Sequence, residues 1–171
     1  MNPKFLSFLL VVVSSGVPSF QAGNTWVESL NPASAITNNR GRYAEDKGDY
    51  DKAIEYYTTS IRLAPNEWAT YYNRARIYLL QRKWSLALQD TNTIIRLKPS
   101  FLMASIMRAQ INETLGNYSA ALQDYDAILK LKPLELTRAE VLADRAWIYS
   151  TCPNASLRNG SRVKNILSRR L

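Results

Sequence analysis

The 171 residues include 46% hydrophobic and 21% charged side chains, a globular balance that excludes wholesale disorder. Six Gly and seven Pro exclude collagen-like and Pro-rich low-complexity chains. Histidine is absent and cysteine occurs once, as Cys152, which excludes Ser-His and Cys-His catalysis, imidazole zinc sites and an internal disulfide; 22 Lys+Arg against 14 Asp+Glu give a net charge of +8.

The chain opens with the charge–apolar–small order of a secretory signal. Lys4 and the terminal amine precede an apolar run over residues 5–13, interrupted only by Ser7. Ser14, Ser15, Gly16, Pro18 and Ser19 then suit a cleavage region. The run is shorter than the roughly 20 residues a membrane-spanning helix needs. Residues 1–22 are therefore expected to be a signal peptide and 23–33 a linker, with the mature protein periplasmic or secreted. Val17-Pro18-Ser19 and Phe20-Gln21-Ala22 both end in a small residue, so the cleavage site stays open, and an uncleaved anchor is the alternative.

From Ser34 onward the chain repeats itself every 34 residues. Pro65, Pro99 and Pro133 share a column, as do Ala53, Ala87 and Ala121, and Tyr50, Trp84 and Tyr118. Arg40-Gly41, Arg74-Ala75 and Arg108-Ala109 align, and a fourth pair, Arg145-Ala146, follows after a three-residue insertion. The repeats are 34–67, 68–101 and 102–135, with a divergent unit at 136–171. Apolar and small residues at helical spacing give two helices per repeat. Gly48 and Gly116 mark the midpoints, each followed by a helix-starting Asp49 or Asn117. The Pro of each repeat ends the second helix, because it lacks an N–H and disfavours helix in the residue before it. Helix pairs are predicted near 36–47/50–63, 69–81/84–97, 103–115/118–131 and 137–151/160–170.

These columns resemble tetratricopeptide repeats. The small residue at Gly41, Ala75 and Ala109, the aromatic at Tyr50, Trp84 and Tyr118, the Ala at 53, 87 and 121 and the Pro carry the likeness over about residues 34–151. Arg precedes the small residue in every unit, as in a bacterial variant of the repeat. Thr151-Cys152-Pro153 and Leu157-Arg158-Asn159-Gly160 resemble a closing element of some exported bacterial members. After it, Val163, Ile166, Leu167 and Leu171 share one face of a capping helix. The resemblance implies an all-α, right-handed superhelical solenoid of three full helix pairs plus the divergent cap.

It also implies a concave side lined by first helices and used to bind peptides or partner helices, without catalysis or cofactor. The residues expected to face outward there are Asn39 and Arg42, then Tyr72, Asn73 and Arg76, then Met103, Ile106, Met107 and Gln110, and finally Trp147. Arg supplies charge-assisted carboxylate contacts and Met an adaptable surface, which suits a partner segment with an acidic and an apolar part. Chaperone-associated members hold a partner's terminal carboxylate with Lys and Asn. Only Asn73 matches that clamp; Asn38, Met103 and Met107 stand where it has Lys, and this argues against that activity. Asn112 replaces the usual aromatic or Leu, so looser packing is expected in the third repeat.

The repeated Arg points to a structural task in each unit, with Asp90 and Asp124 sixteen residues downstream as partners; Tyr56 breaks that pattern in the first unit. The pairs Glu45/Asp46 and Asp49/Asp51 offer carboxylates, but the second lies at a helix start, where capping and the helix dipole account for acids. Arg158, Arg162, Lys164, Arg169 and Arg170 make the C-terminal end basic with no acid among them. That end gives a rival reading, a tether to an anionic membrane or envelope polymer; nucleic acid is disfavoured, for no recognition motif appears. Self-association is open.

Overall fold

The computed structural model describes residues 31–131 and 133–163. The expected signal peptide (1–22), most of the linker and most of the capping helix lie outside the described residues. Seven helices of eight or more residues run through the described chain: α1 Pro32–Asp46, α2 Tyr50–Leu63, α3 Trp68–Leu80, α4 Trp84–Leu97, α5 Leu102–Thr114, α6 Tyr118–Lys130 and α7 Glu135–Thr151. The fold class is all-α, as the period of 34 predicts. The chain divides between Phe101 and Leu102 into two compact units.

In the first unit, α1 packs on α2, α2 on α3 and α3 on α4. Helix α1 begins four residues before the predicted position, so Pro32 and Ala33 are helical and not linker. Asn31 caps it by accepting from the Ala33 N–H at 3.0 Å, and Pro32 fits the first turn, where no N–H is needed. Asp49 caps α2 by accepting from the Lys52 N–H at 3.2 Å. Helices α2 and α4 stop at Leu63 and Leu97, two residues before Pro65 and Pro99.

The turns between paired helices need a left-handed residue. Gly48 adopts φ 77° there, and Arg82, one period on, is forced to φ 56°. Small residues then let the helices close up. Ala44, Ala53, Tyr57 and Ile77 form the buried cluster, and Tyr57 has no exposed surface. A Cβ on Gly41 would fall 2.6 Å from the Tyr57 ring, so this column admits only Gly in the first repeat. Ser34 and Ser60 join α1 to α2 in a buried pair: the two hydroxyls lie 2.9 Å apart, and each lies within hydrogen-bond distance of the other residue's carbonyl oxygen, at 3.1 and 3.0 Å. At the other end of the unit, Phe101 stacks obliquely on Trp68 at 4.5 Å and meets Tyr72 edge-on at 5.2 Å.

In the second unit, α5 packs on α6 and α6 on α7. Gly116 repeats the left-handed turn with φ 78°. Asn117 stands at the α6 N-cap but makes no side-chain cap bond. Tyr125 is buried, and its phenol reaches Glu113 at 3.2 Å and Asp144 at 3.4 Å. Val141, Ile148, Tyr149 and Cys152 bury the inner face of α7 and the turn after it. Asn159 closes the final loop: its N–H donates to the Tyr149 carbonyl at 3.0 Å, and its side chain accepts from Arg162 N–H at the start of a helical turn over residues 160–163.

Candidate functional site

The Arg column is structural. Arg74 meets Asp90 of its own repeat with Nε at 2.8 Å and Nη2 at 2.7 Å, a two-point contact between α3 and α4. Burial works against the Arg74 cation, and the hydrogen bonds and charge of Asp90 more than offset it, so the guanidinium stays charged. Burial lifts the Asp90 carboxyl above its ordinary range while Arg74 draws it back, and the forked geometry is that of an ionised pair. Arg108 repeats the contact with Asp124, its Nε lying 3.1 Å from both carboxylate oxygens. Asn112 adds a 3.3 Å bond to the same carboxylate. The third repeat is therefore not loosely packed at Asn112: the side chain is buried and satisfied.

These arginines also reach the helix before their own. Arg74 Nη1 donates to Thr58 of α2 at 2.9 Å, and Arg145 pairs with Asp126 of α6 at 2.8 Å. Thr58 and Asp126 belong to one column of the repeat. Sequence reasoning missed this second set of partners, although the column itself was readable.

Several residues expected to face outward do not. Tyr72, Asn73 and Arg76 of α3 are buried. Arg76 pairs with Glu45 of α1 at 3.2 Å, and Glu45 also accepts from the Tyr57 phenol at 2.8 Å. Asn73 donates to Asn38 of α1 at 3.3 Å, and the Tyr72 ring meets Phe101 edge-on and carries the Arg76 guanidinium 6.0 Å from its centroid. Glu45 and Asn38 thus hold α1 beside α3, and the side chains that do so are withdrawn from water. Arg42 remains exposed on α1, and among the described residues no carboxylate lies within ion-pair distance of it.

Asn39 is exposed but lines a different feature, a groove of about 670 Å³ between α1 and α2 with Ile36, Arg40, Tyr43 and Tyr56. In the second unit, Ile106 and Met107 of α5 are buried, while Met103, Gln110 and Trp147 are half-buried. Of the ten expected residues, the structure brings Tyr72, Asn73 and Arg76 together on α3, with Arg42 nearby on α1.

Two family models described as tetratricopeptide repeat match residues 38–100 and 104–133. Among solved structures, the second TPR domain of human RPAP3 in complex with the HSP70 peptide SGPTIEEVD is 30% identical, with TM-score 0.58 over 65% of this chain and 93% of that one. The Arabidopsis OM64 TPR domain is 26% identical, with TM-score 0.59 over 66% of this chain and 93% of that one. MamA from Desulfovibrio magneticus, residues 41 to the end, shares the fold at 14% identity and TM-score 0.66, over 81% of this chain and 77% of that one. The repeated columns, the paired helices and these matches together establish that the chain belongs to the tetratricopeptide-repeat family.

Proposed function

We propose that this protein is a non-enzymatic adaptor that holds a peptide or helix of a partner protein against the faces of its first helices. The observation that carries the reading is the α1–α3 face. Two first helices are tied to each other through Glu45–Arg76 and Asn38–Asn73, and Arg42 is left exposed on α1. Helices tied in this way, with an exposed guanidinium that has no ion-pair partner among the described residues, are suited to bind a carboxylate. The second unit contributes its own half-buried surface at Met103, Gln110 and Trp147.

The likeness to peptide-bound domains supports this reading. A second TPR domain of RPAP3 bound to the HSP90 peptide SRMEEVD is 30% identical over 92% of that chain. The partner here is of another kind, because Asn38, Met103 and Met107 do not supply the Lys side chains of a terminal-carboxylate clamp. The leader-like order of residues 1–22 supports an exported adaptor, and the Thr151-Cys152-Pro153 turn supports the bacterial closing element; N-terminal sequencing of the mature chain tests the first.

Capture from an envelope fraction tests the binding face. Arg42→Glu in the first unit and, separately, Trp147→Ala in the second are each expected to lower capture of a partner at unchanged helicity. Arg76→Glu is unsuitable, since it places a second acid against Glu45 in a buried pair. If neither variant changes any interaction, the reading fails.

A further inference from the structure

The groove between α1 and α2 is a repeat-stacking face with no described helix on it, and we infer that it binds an acidic amphipathic helix of another protein. The repeat itself identifies the face. Ile36 and Tyr43 are 56% and 67% exposed on α1. The same column positions on α3 are Thr70 and Ile77, buried where α2 packs on α3. On α7 they are Val141 and Ile148, buried where α6 packs on α7. In both covered copies, the covering partner is the second helix of the preceding repeat.

The covering helix also satisfies the Arg column. Thr58 of α2 accepts from Arg74, and Asp126 of α6 pairs with Arg145. Among the described residues, Arg40 has neither partner. Its own repeat offers Tyr56 where Asp90 and Asp124 stand, and no carboxylate among the described residues lies within ion-pair distance.

Charge selects the occupant. Arg40, Lys47 and Lys52 line the groove against one acid, Asp49, which is already engaged as the α2 cap. A helix with an apolar stripe over Ile36 and Tyr43 and a carboxylate opposite Arg40 reproduces the α6–α7 contact. This surface is separate from the Arg42 face, and its test does not depend on that reading.

The probe is a fluorescent peptide copying residues 117–131, which holds Asp126, titrated into the full chain and read by anisotropy. We expect saturable binding, weakened at least tenfold by Arg40→Glu or Tyr43→Glu in the chain, or by Asp126→Lys in the peptide. Combining Arg40→Glu with the Asp126→Lys peptide should restore it. Both chain positions are exposed, and circular dichroism confirms folding. Absence of binding at millimolar peptide, or binding indifferent to Arg40→Glu, overturns the inference. So does binding that emerges only when residues 1–30 are removed, which makes the chain its own occupant. Dissociation of a chain dimer by Arg40→Glu in sedimentation also overturns it, since the occupant is then a second copy.

Discussion

Arg74 and Asp90 are joined by two parallel contacts of 2.8 and 2.7 Å while both side chains are largely buried, at 15% and 5% exposure. A buried pair of this kind punishes the loss of one partner more than the loss of both. Arg74→Met or Asp90→Leu alone should cost about 3 kcal/mol, because each leaves a charge without its partner. In a double-mutant cycle by urea unfolding, the coupling energy should be about 1–3 kcal/mol. A coupling near zero would mean that the contact does not brace α3 to α4.

Gly41 faces the Tyr57 ring at a distance no Cβ tolerates. Its period-mates are Ala75 and Ala109, so the sequence alone invites Gly41→Ala as a helix-stabilising change. The structure predicts the opposite sign. Gly41→Ala should destabilise by about 1–3 kcal/mol through overpacking, measured as a lower unfolding midpoint. Gly41→Ala with Tyr57→Leu should recover part of the loss.

Arg82 holds a left-handed turn that Gly48 and Gly116 hold in the flanking repeats. A side chain there costs roughly 1–2 kcal/mol, partly offset by the backbone entropy that Gly would lose on folding. Arg82→Gly should therefore raise stability by about 0.5–1 kcal/mol. Its exposed side chain makes no hydrogen bond or ion pair among the described residues that would oppose the gain.

Tyr57 and Tyr125 set an alkaline limit. Burial, then the charge and hydrogen bond of Glu45, hold the Tyr57 phenol far above its ordinary 10.0. Burial, then the charges of Asp144 and Glu113, do the same for Tyr125. In the folded chain both keep their protons where the unfolded chain gives them up. Their stabilisation is thus full below pH 10 and is lost as pH rises above it. Thermal midpoints should fall steeply above about pH 10, and Tyr57→Phe and Tyr125→Phe should flatten that limb. Ultraviolet titration should show these two among the ten tyrosines ionising only with unfolding.

The period, the helix pairs and the Arg–Asp braces were legible because each is imposed again in every repeat, and repetition exposes what a single copy hides. The start of α1 was not, since Asn31 and Pro32 cap a helix that has no copy to align with. The burial of Tyr72, Asn73 and Arg76 was not legible either. It depends on Asn38 and Phe101, whose columns hold other residue types in the later repeats, and on the Glu45–Arg76 pairing, whose counterparts one period on are Leu79 and Gln110. The column of Asn39 points to the binding face, yet its surroundings differ because α1 has no described helix before it. A position without a described neighbouring helix departs from its column for that physical reason.

The central claim is that first-helix faces hold a partner polypeptide. The most direct measurement is an NMR titration of the full chain with peptides selected against it from a random display library. Selected sequences should combine acidic and apolar residues. Amide shifts should appear on α1 and α3 around Arg42, or on α5 and α7 around Gln110 and Trp147, with the Arg42 shifts abolished by Arg42→Glu. Selection of no peptide, or shifts confined to the second helices α2, α4 and α6, would contradict it.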